Sequence, residues 1–248
     1  MARPFAGFRY TDNMRKEVID MLIDLNRKFY DNFAETFATS RGKSEPGLER
    51  VLQDVYPGSH VLDLGCGQGR VAALLPPGCA YVGVDFSQEM LRQARQRSPA
   101  DRDAHFVVAN LLDRGWPTLV CGEFTWIVLR AVLHHIPGKE NRQNLLKQAA
   151  DLLSPTGRLV LANWQFMEVP RLRRRILDWE AFQLTAADVE PGDHLLDWRR
   201  DGHGLRYVHW VDEAETLALA AAAGLKVEAL FRADGHQNNL TLYAVLCP

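Results

Sequence analysis

Apolar positions along the chain follow two rhythms. Between Thr11 and about Phe37, the residues Val18, Met21, Leu22, Leu25, Phe29, Phe33 and Phe37 recur at helical spacing, which predicts an N-terminal helical region. The turn-rich run Gly42-Lys43-Ser44-Glu45-Pro46-Gly47 interrupts it, and a further helix through Leu48, Val51 and Leu52 ends at Pro57-Gly58. Short apolar runs then alternate with amphipathic ones, the rhythm of a doubly wound α/β sheet. Strands are expected near 60–64, 81–85, 105–109, 124–129 and 158–164. One helix should run from the glycine-rich turn after the first strand to Pro76-Pro77-Gly78. Ser87 reads as the N-cap of another, with Glu89 in its first turn, reaching about Arg97. A third covers 139–153, with Leu145, Leu146, Ala149, Leu152 and Leu153 on one side.

Between Gln165 and Trp210 this rhythm breaks. A helix is predicted over 169–184, followed by an aperiodic stretch rich in Gly, Asp, His and Arg. Loops above the carboxyl ends of strands line the crevice of such folds, so 165–210 is read as a substrate insertion after the fifth strand. Asp212-x-x-Glu215 predicts a capping box opening a helix that ends at Gly224, and two last strands near 227–231 and 240–246 flank a turn at Asp234 to Asn239. The whole of 1–248 is read as one domain, with 1–57 as a helical cap.

Composition narrows the classes. Hydrophobic residues at 47% and charged residues at 24% describe an ordinary globular chain, and a net charge of −2 gives no bulk electrostatic argument for nucleic-acid binding, although a local basic patch stays open. The four cysteines show no C-x-x-C spacing, which suits reduced thiols in a cytoplasmic protein. No apolar core marks a signal peptide in residues 1–16, and no run approaches the roughly 20 residues of a membrane span, so a soluble protein with no membrane partner is expected.

The chemistry concentrates in Val61-Leu62-Asp63-Leu64-Gly65-Cys66-Gly67-Gln68-Gly69-Arg70, a strand that ends in three alternating glycines and leads into a helix. Glycine removes the Cβ atoms that hold a ligand off the backbone and permits positive φ in the turn. In dinucleotide fingerprints the third glycine follows the second by three residues; here the interval is two, and Asp63 precedes the turn. A carboxylate there disfavours a pyrophosphate and suits a cationic ligand such as an amino acid's ammonium, directly or through water. Asp85 ends the second strand roughly 20 residues after the first glycine, where a carboxylate reaches ribose hydroxyls.

These residues resemble motif I and the second-strand acid of the class I S-adenosylmethionine-dependent methyltransferases. The resemblance implies a Rossmann-like seven-stranded sheet in the order 3-2-1-4-5-7-6 with an antiparallel last strand, and S-adenosylmethionine as cofactor. It implies cofactor contacts from Asp63, Gly65, Cys66, Gly67, Asp85, Phe86, Asn110 and Leu111, with Asp85 on the ribose hydroxyls. Cys66 is otherwise a small space-filling residue, and Asn110 otherwise a strand-end turn residue. After the fourth strand, Leu129-Arg130-Ala131-Val132-Leu133-His134-His135 would run beneath the methionine part of the cofactor. Arg130 there lines the cofactor or acceptor pocket or is a solvated charge, and His134 positions substrate or is structural. Adjacent histidines without a third ligand at suitable spacing argue against a metal.

A narrower resemblance rests on two segments. The run from Tyr30 to Lys43, with Tyr30 and Arg41 assigned to the cofactor side, and the stretch Arg206-Tyr207-Val208-His209 preceding an acidic helix cap, are similar to the tRNA methyltransferases that esterify the carboxymethyl group of wobble uridine. That resemblance implies O-methylation, with Arg206, Tyr207 and His209 holding the acceptor. Val208 and Asp197 depart from its pattern, and Asn238-Asn239-Leu240 replaces an aromatic. A small-molecule carboxylate or hydroxyl acceptor is therefore the alternative to tRNA, and a non-catalytic nucleotide-binding module the alternative outside enzymes. Strand alternation would turn Tyr207 and His209 to one face and Arg206 to the other. The basic residues Arg171, Arg173, Arg174, Arg175, Arg199, Arg200 and Arg206 either meet phosphates or form a solvated face. A small activating partner or a homodimer is left open by the sequence.

Overall fold

The computed structural model describes residues 14–40, 45–99, 102–199 and 202–248, and in the first stretch the side chains of 14–33. Thr11, Arg41, the segment 42–44, Arg200 and the side chain of Phe37 lie outside the described residues.

Helix α1, Lys16–Ser40, carries a kink at Phe33, and Val18, Leu22 and Phe29 form its buried stripe, whereas Met21 of the predicted stripe is exposed. Helix α2, Pro46–Leu52, has proline in its first turn, where the missing N–H costs nothing, and buries Leu48, Val51 and Leu52. The sheet domain follows as β1 (His60–Leu64), α3 (Arg70–Leu74), β2 (Ala80–Asp85), α4 (Gln88–Arg97), β3 (Asp103–Val108), β4 (Phe124–Arg130), α5 (Lys139–Asp151) and β5 (Leu153–Trp164). The predicted cap of α4 forms: Ser87 Oγ accepts from the Met90 N–H at 3.3 Å. Helix α3 is a bare turn and a half, stopping at Leu74, short of the proline pair.

The order across the sheet is β3-β2-β1-β4-β5-β10-β9, where β9 is Lys226–Ala233 and β10 is Thr241–Cys247. Strand β10 pairs antiparallel with both β5 and β9, while the pairs among β1 to β5 are parallel. This is the seven-stranded architecture that the resemblance implied. Both faces are covered. Leu62 and Leu64 of β1 pack into one apolar layer with Ile127, Leu145 and Leu146, and Val61 packs into the other with Val71, Leu91, Val128 and Tyr243. Alternation along β1 thus places Asp63 on the Val61 side, inside the second layer. The strand order reverses at β1, whose neighbours are β2 and β4, and the carboxyl ends there frame the crevice such sheets offer to ligands.

The insertion differs from its prediction. Instead of a helix over 169–184, the chain makes one helical turn, α6 (Pro170–Arg173), a two-residue strand β6 (Ile176–Leu177) and a 3-10 turn at Trp179–Phe182. The backbone of this stretch is used in a sheet: β6 pairs with Leu195 and Leu196, and the Arg175 carbonyl accepts from the Asp197 N–H at 2.9 Å. Strands β7 (Asp193–Trp198) and β8 (Gly204–His209) complete a three-stranded antiparallel sheet in what read as an aperiodic stretch. Met14, Val18 and Leu22 pack with Leu195 and Tyr207, so the first helix and the insertion share one core.

Helix α7, Glu213–Ala222, starts on the Asp212 cap, whose Oδ1 accepts from the Glu215 N–H at 2.8 Å. Glu215 itself is turned away, onto Arg142 and His209. Among the described residues no helix is long and apolar enough to cross a membrane.

Candidate functional site

The glycine turn is built by three positive-φ residues, Gly65 (71°), Gly67 (53°) and Gly69 (74°). Two of them differ in what surrounds them. A Cβ on Gly65 would lie 2.5 Å from Val132 Cγ2, whereas one on Gly67 would meet nothing within 4 Å, because Gly67 faces an open cavity. Cys66 turns inward and is buried; its Sγ occupies the space above Gly83, where a Cβ would approach it to 2.9 Å. Burial and the nearby Asp63 and Asp85 charges push its thiol well up, so it packs rather than reacts.

The cavity has a volume of about 400 Å³, within the range of small-molecule sites. Its wall includes, among the residues singled out from sequence, Tyr30, Gly65, Cys66, Gly67, Asp85, Phe86, Asn110, Leu111 and Arg130. Asp85 is the hinge of this wall. Its Oδ2 accepts from the Gly67 N–H at 2.8 Å and its Oδ1 from the Ser87 N–H at 2.9 Å, so one carboxylate ties the glycine turn to the start of α4. Burial raises its pKa above the ordinary carboxylate value, opposed by backbone N–H groups of Ser87, Gly67 and Phe86. Phe86 is 41% exposed and lines the cavity, offering it an apolar ring. Asn110 lines the cavity and also closes a turn, its Oδ1 accepting from the Leu112 N–H at 3.0 Å.

Five assignments are corrected. Asp63 is not on the cavity wall: it is 1% exposed and accepts from the Tyr81 hydroxyl at 2.8 Å, one layer behind the turn, as its place in β1 dictates. Burial raises its pKa to about 7, against the pull of Tyr81 and Arg130. His134 is buried against Trp164, with ring centroids 5.9 Å apart, while its neighbour His135 faces the cavity, because the 3-10 turn at Leu133–His135 rotates successive side chains by a third of a circle. Tyr207 and His209 do share a face, but that face is interior. The Tyr207 hydroxyl donates to Asp193 Oδ1 at 2.7 Å, and the same oxygen lies 2.6 Å from His209 Nδ1. Arg206 turns to the other side, as alternation requires, yet is 7% exposed and lies over the rings of Phe29, Trp164 and Trp198 rather than meeting a phosphate.

The interior face is a closed ionic network. Arg142, 2% exposed, donates to Glu215 Oε1 at 2.7 Å, to Glu190 Oε2 at 2.9 Å and to the Ile136 carbonyl at 3.1 Å. His209 Nε2 lies 2.7 Å from Glu215 Oε2. With a carboxylate on each ring nitrogen, His209 is held as the imidazolium: burial lowers its pKa, but the bonds to Asp193 and Glu215 outweigh burial and the net shift is upward. Glu190, Asp193 and His209 offer ligand atoms within 4.8 Å of one another, a spacing suited to a metal ion. The guanidinium of Arg142 and the proton on His209 already supply the positive charge there.

Three residues of the site escaped the sequence reading. Glu45 pairs with Arg130, Oε2 accepting from Nε at 2.5 Å and Oε1 from Nη2, and it also lies 3.7 Å from Arg70. This ties the start of α2 to the end of β4; an acid immediately before Pro46 was the available signal. Arg130 is thus neither a solvated charge nor alone. Asn26 and His135 are the others. Both line the cavity, and His135 Nε2 lies 2.6 Å from the Tyr30 hydroxyl. Ala131, at the end of β4, adopts φ 58° on the same wall, a left-handed conformation that costs a residue with a Cβ and so marks a backbone held by its surroundings.

Comparison with known proteins agrees with this geometry. Residues 62–159 match the family described as a methyltransferase domain. A probable tRNA methyltransferase 9B of Mus musculus is 30% identical over 135 residues, which cover 54% of this chain and 28% of that protein. A putative methyltransferase of Encephalitozoon cuniculi is 28% identical over 220 residues, 88% of this chain and 93% of that one. A tRNA (carboxymethyluridine(34)-5-O)-methyltransferase of Arabidopsis thaliana is 25% identical over 138 residues, 55% and 32% of the two chains. Among solved structures, a SAM-dependent methyltransferase of Methanosarcina mazei superposes with a TM-score of 0.59 at 22% identity, covering 82% of this chain and 96% of that one. The chain spans less than a third of the length of the two tRNA methyltransferases, 28% and 32%.

Proposed function

We propose that this chain, whose sheet domain is that of a class I S-adenosylmethionine-dependent methyltransferase, carries out O-methylation, and that its acceptor is the carboxymethyl group of a tRNA wobble uridine. The observation that carries the cofactor half is the cavity over Gly67, where the missing side chain opens onto the Asp85 carboxylate and the Phe86 ring. When bound, S-adenosylmethionine supplies a sulfonium-activated methyl group: the acceptor oxygen forms a bond to the methyl carbon as the carbon–sulfur bond breaks, and its electron pair stays on sulfur. A carboxylate acceptor already carries the attacking charge, so no proton need be removed. The residues of this chain then act by holding and orienting, which can supply most of the rate in an in-line displacement. Asp85 would accept from ribose hydroxyls while keeping the glycine turn closed. Leu111 and Phe86 offer apolar faces for the adenine. The Glu45–Arg130 pair would hold in place the part of the cavity wall that Arg130 supplies.

The tRNA assignment draws on the names of the relatives and on Arg171, Arg173 and Arg174, which are exposed on and beside α6 beyond the carboxyl end of β5. A second reading, a small-molecule carboxylate or hydroxyl acceptor, is favoured by one observation. Phe29 and Trp198, aromatic residues near the insertion, are 2% and 4% exposed and enclose Arg206, so they are not displayed for base stacking. Incubation with labelled S-adenosylmethionine and two tRNAs, one bearing 5-carboxymethyluridine at the wobble position and one bearing unmodified uridine, tests the proposal. Label in the first alone, released by mild base as an ester would be, is the expected result. Label in neither, with transfer to low-molecular-weight acceptors, would move the assignment to the second reading.

A further inference from the structure

Among the described residues, four that are not glycine have positive φ: Ala131, Gln183, Asp234 and Asn238. Three have ordinary reasons. Asp234 and Asn238 lie in the turn between β9 and β10 and have short polar side chains that tolerate the left-handed region, and Gln183 ends the 3-10 turn at Trp179–Phe182. Ala131 has no such side chain, and it alone of the four lines the cavity. Its backbone is held from both sides. Arg130 before it is clamped to Glu45, and the Ala131 N–H donates to the Ala162 carbonyl at 2.9 Å, which keeps it on the β4–β5 ladder. Val132 after it fills the space above Gly65, and the Val132 carbonyl accepts from the His135 N–H at 2.8 Å. The reversal of the chain therefore falls on residue 131. Glycine would make it without strain, whereas alanine sets its Cβ against the following carbonyl oxygen.

The cavity runs across the carboxyl ends of β3, β2, β1 and β4 in that order, through Asn110, Asp85, Gly67 and Ala131. With Asp85 on the ribose, the sulfur and amino acid half of the cofactor falls to the ends of β1 and β4. We infer, resting on S-adenosylmethionine as cofactor and on that role of Asp85, that Ala131 determines the size of the alkyl group accepted on sulfur. Its methyl is the part of the wall that admits a sulfonium methyl and turns away a longer chain. A glycine would leave a hollow one methyl deep where the donor carbon has to be held in line with the acceptor. A β-branched side chain would be a severe outlier at φ 58° and would fill the space itself. Alanine is the size that these two demands leave, and its backbone strain is the cost.

The test needs no acceptor. Calorimetry on the full chain compares S-adenosylmethionine with S-adenosyl-L-ethionine, its S-ethyl analogue, and with S-adenosylhomocysteine, which carries no alkyl branch on sulfur. The wild type should bind the ethyl compound about tenfold or more weakly than the methyl one, the scale of one methylene in a fitted pocket. Ala131→Gly should narrow that ratio to about threefold or less. Without ligand it should melt about 1–3 °C higher, because relief of the strained backbone exceeds the added freedom of the unfolded chain. Leu112→Ala, which removes cavity wall beyond the end of β3, should weaken all three ligands alike and keep the wild-type ratio. Equal binding of the two sulfonium compounds by the wild type, or the wild-type ratio in Ala131→Gly, would overturn the inference and leave the cofactor assignment intact. The same narrowing in Leu112→Ala would also overturn it, since loosening the wall anywhere would then suffice. A wild type that binds none of the three ligands would overturn the cofactor assignment, and this inference with it.

Discussion

Replacing Asp85 by asparagine separates the two tasks of its carboxylate. Asparagine keeps the size and one carbonyl oxygen, but its amide nitrogen must face either the Gly67 N–H or the Ser87 N–H, now 2.8 and 2.9 Å from carboxylate oxygens. One charge-assisted bond is lost, worth about 1.5–3 kcal/mol, and a buried donor is left opposite another donor, at a further cost of about 1–3 kcal/mol. Relief of the desolvation that raises the Asp85 pKa offsets part of this, so a net destabilisation of about 2–4 kcal/mol is expected. For a domain of this size that corresponds to a fall in Tm of about 5–15 °C. The ligand-binding loss is separate: weaker bonds to the ribose hydroxyls should reduce S-adenosylhomocysteine affinity by about ten- to hundredfold. Thermal melting without ligand measures the first and calorimetry well below the melting range the second. A variant that melts early yet binds with wild-type affinity would refute the ribose contact and leave Asp85 as a strut of the turn. A variant that melts normally would refute the account of the turn.

Gly67→Val should cost little packing energy, since its Cβ meets nothing within 4 Å, but it strains a backbone at φ 53° and fills the ligand's space; S-adenosylhomocysteine should no longer stabilise the variant in a melt. Arg142→Met removes the cation shared by Glu190 and Glu215 and should destabilise by about 3–5 kcal/mol in urea unfolding, the cost of leaving buried carboxylates uncompensated. His209 adds a pH signature. Its pKa is raised in the folded protein above the ordinary 6.5, so its stabilisation is complete below that value and is lost as pH rises through the higher folded pKa. Urea midpoints should therefore fall on that alkaline limb, and His209→Gln should flatten it; an identical pH profile in the variant would contradict the imidazolium assignment. If tRNA is bound, Arg171→Glu with Arg174→Glu should weaken it and reduce the slope of affinity against salt, read by filter binding.

The sheet was legible because each strand announces itself locally. Residues 60–64 and 81–85 are apolar runs closed by a turn or an acid, and such runs need no distant partner to be recognised. The insertion was not, because Leu172, Ile176, Trp179 and Leu184 fall near helical spacing while serving separate clusters of a small sheet. Alternation in β8 correctly divided Arg206 from Tyr207 and His209, since that division depends only on strand geometry. Their destinations depend on Asp193, Glu215 and Trp164, which other elements supply, and nothing near 206–209 in the sequence points to them. The same distinction separates Asp85 from Asp63. The first ends its strand and faces the crevice; the second stands one residue deeper, where the pleat turns it into the layer holding Tyr81. His135 lost to His134 only because no sequence rule gives the phase of a three-residue turn.

The union of α1 with the insertion also sets the order in which the molecule can be assembled. The bond between Asn26 and the Tyr207 backbone spans 181 positions, and the shared core of Val18, Leu22, Leu195 and Tyr207 joins segments as far apart in the chain. Contacts of such sequence separation are entropically late. During synthesis the first helix emerges long before the strands that cover its apolar stripe, and until residue 209 has left the ribosome Leu22 and Phe29 face solvent or a chaperone. The parallel strands β1 to β5 can pair meanwhile, whereas β9 and β10 emerge later still. Tyr30 therefore reaches the cavity only when nearly the whole chain is in place, and a nascent or truncated product has its glycine turn before it has the wall opposite.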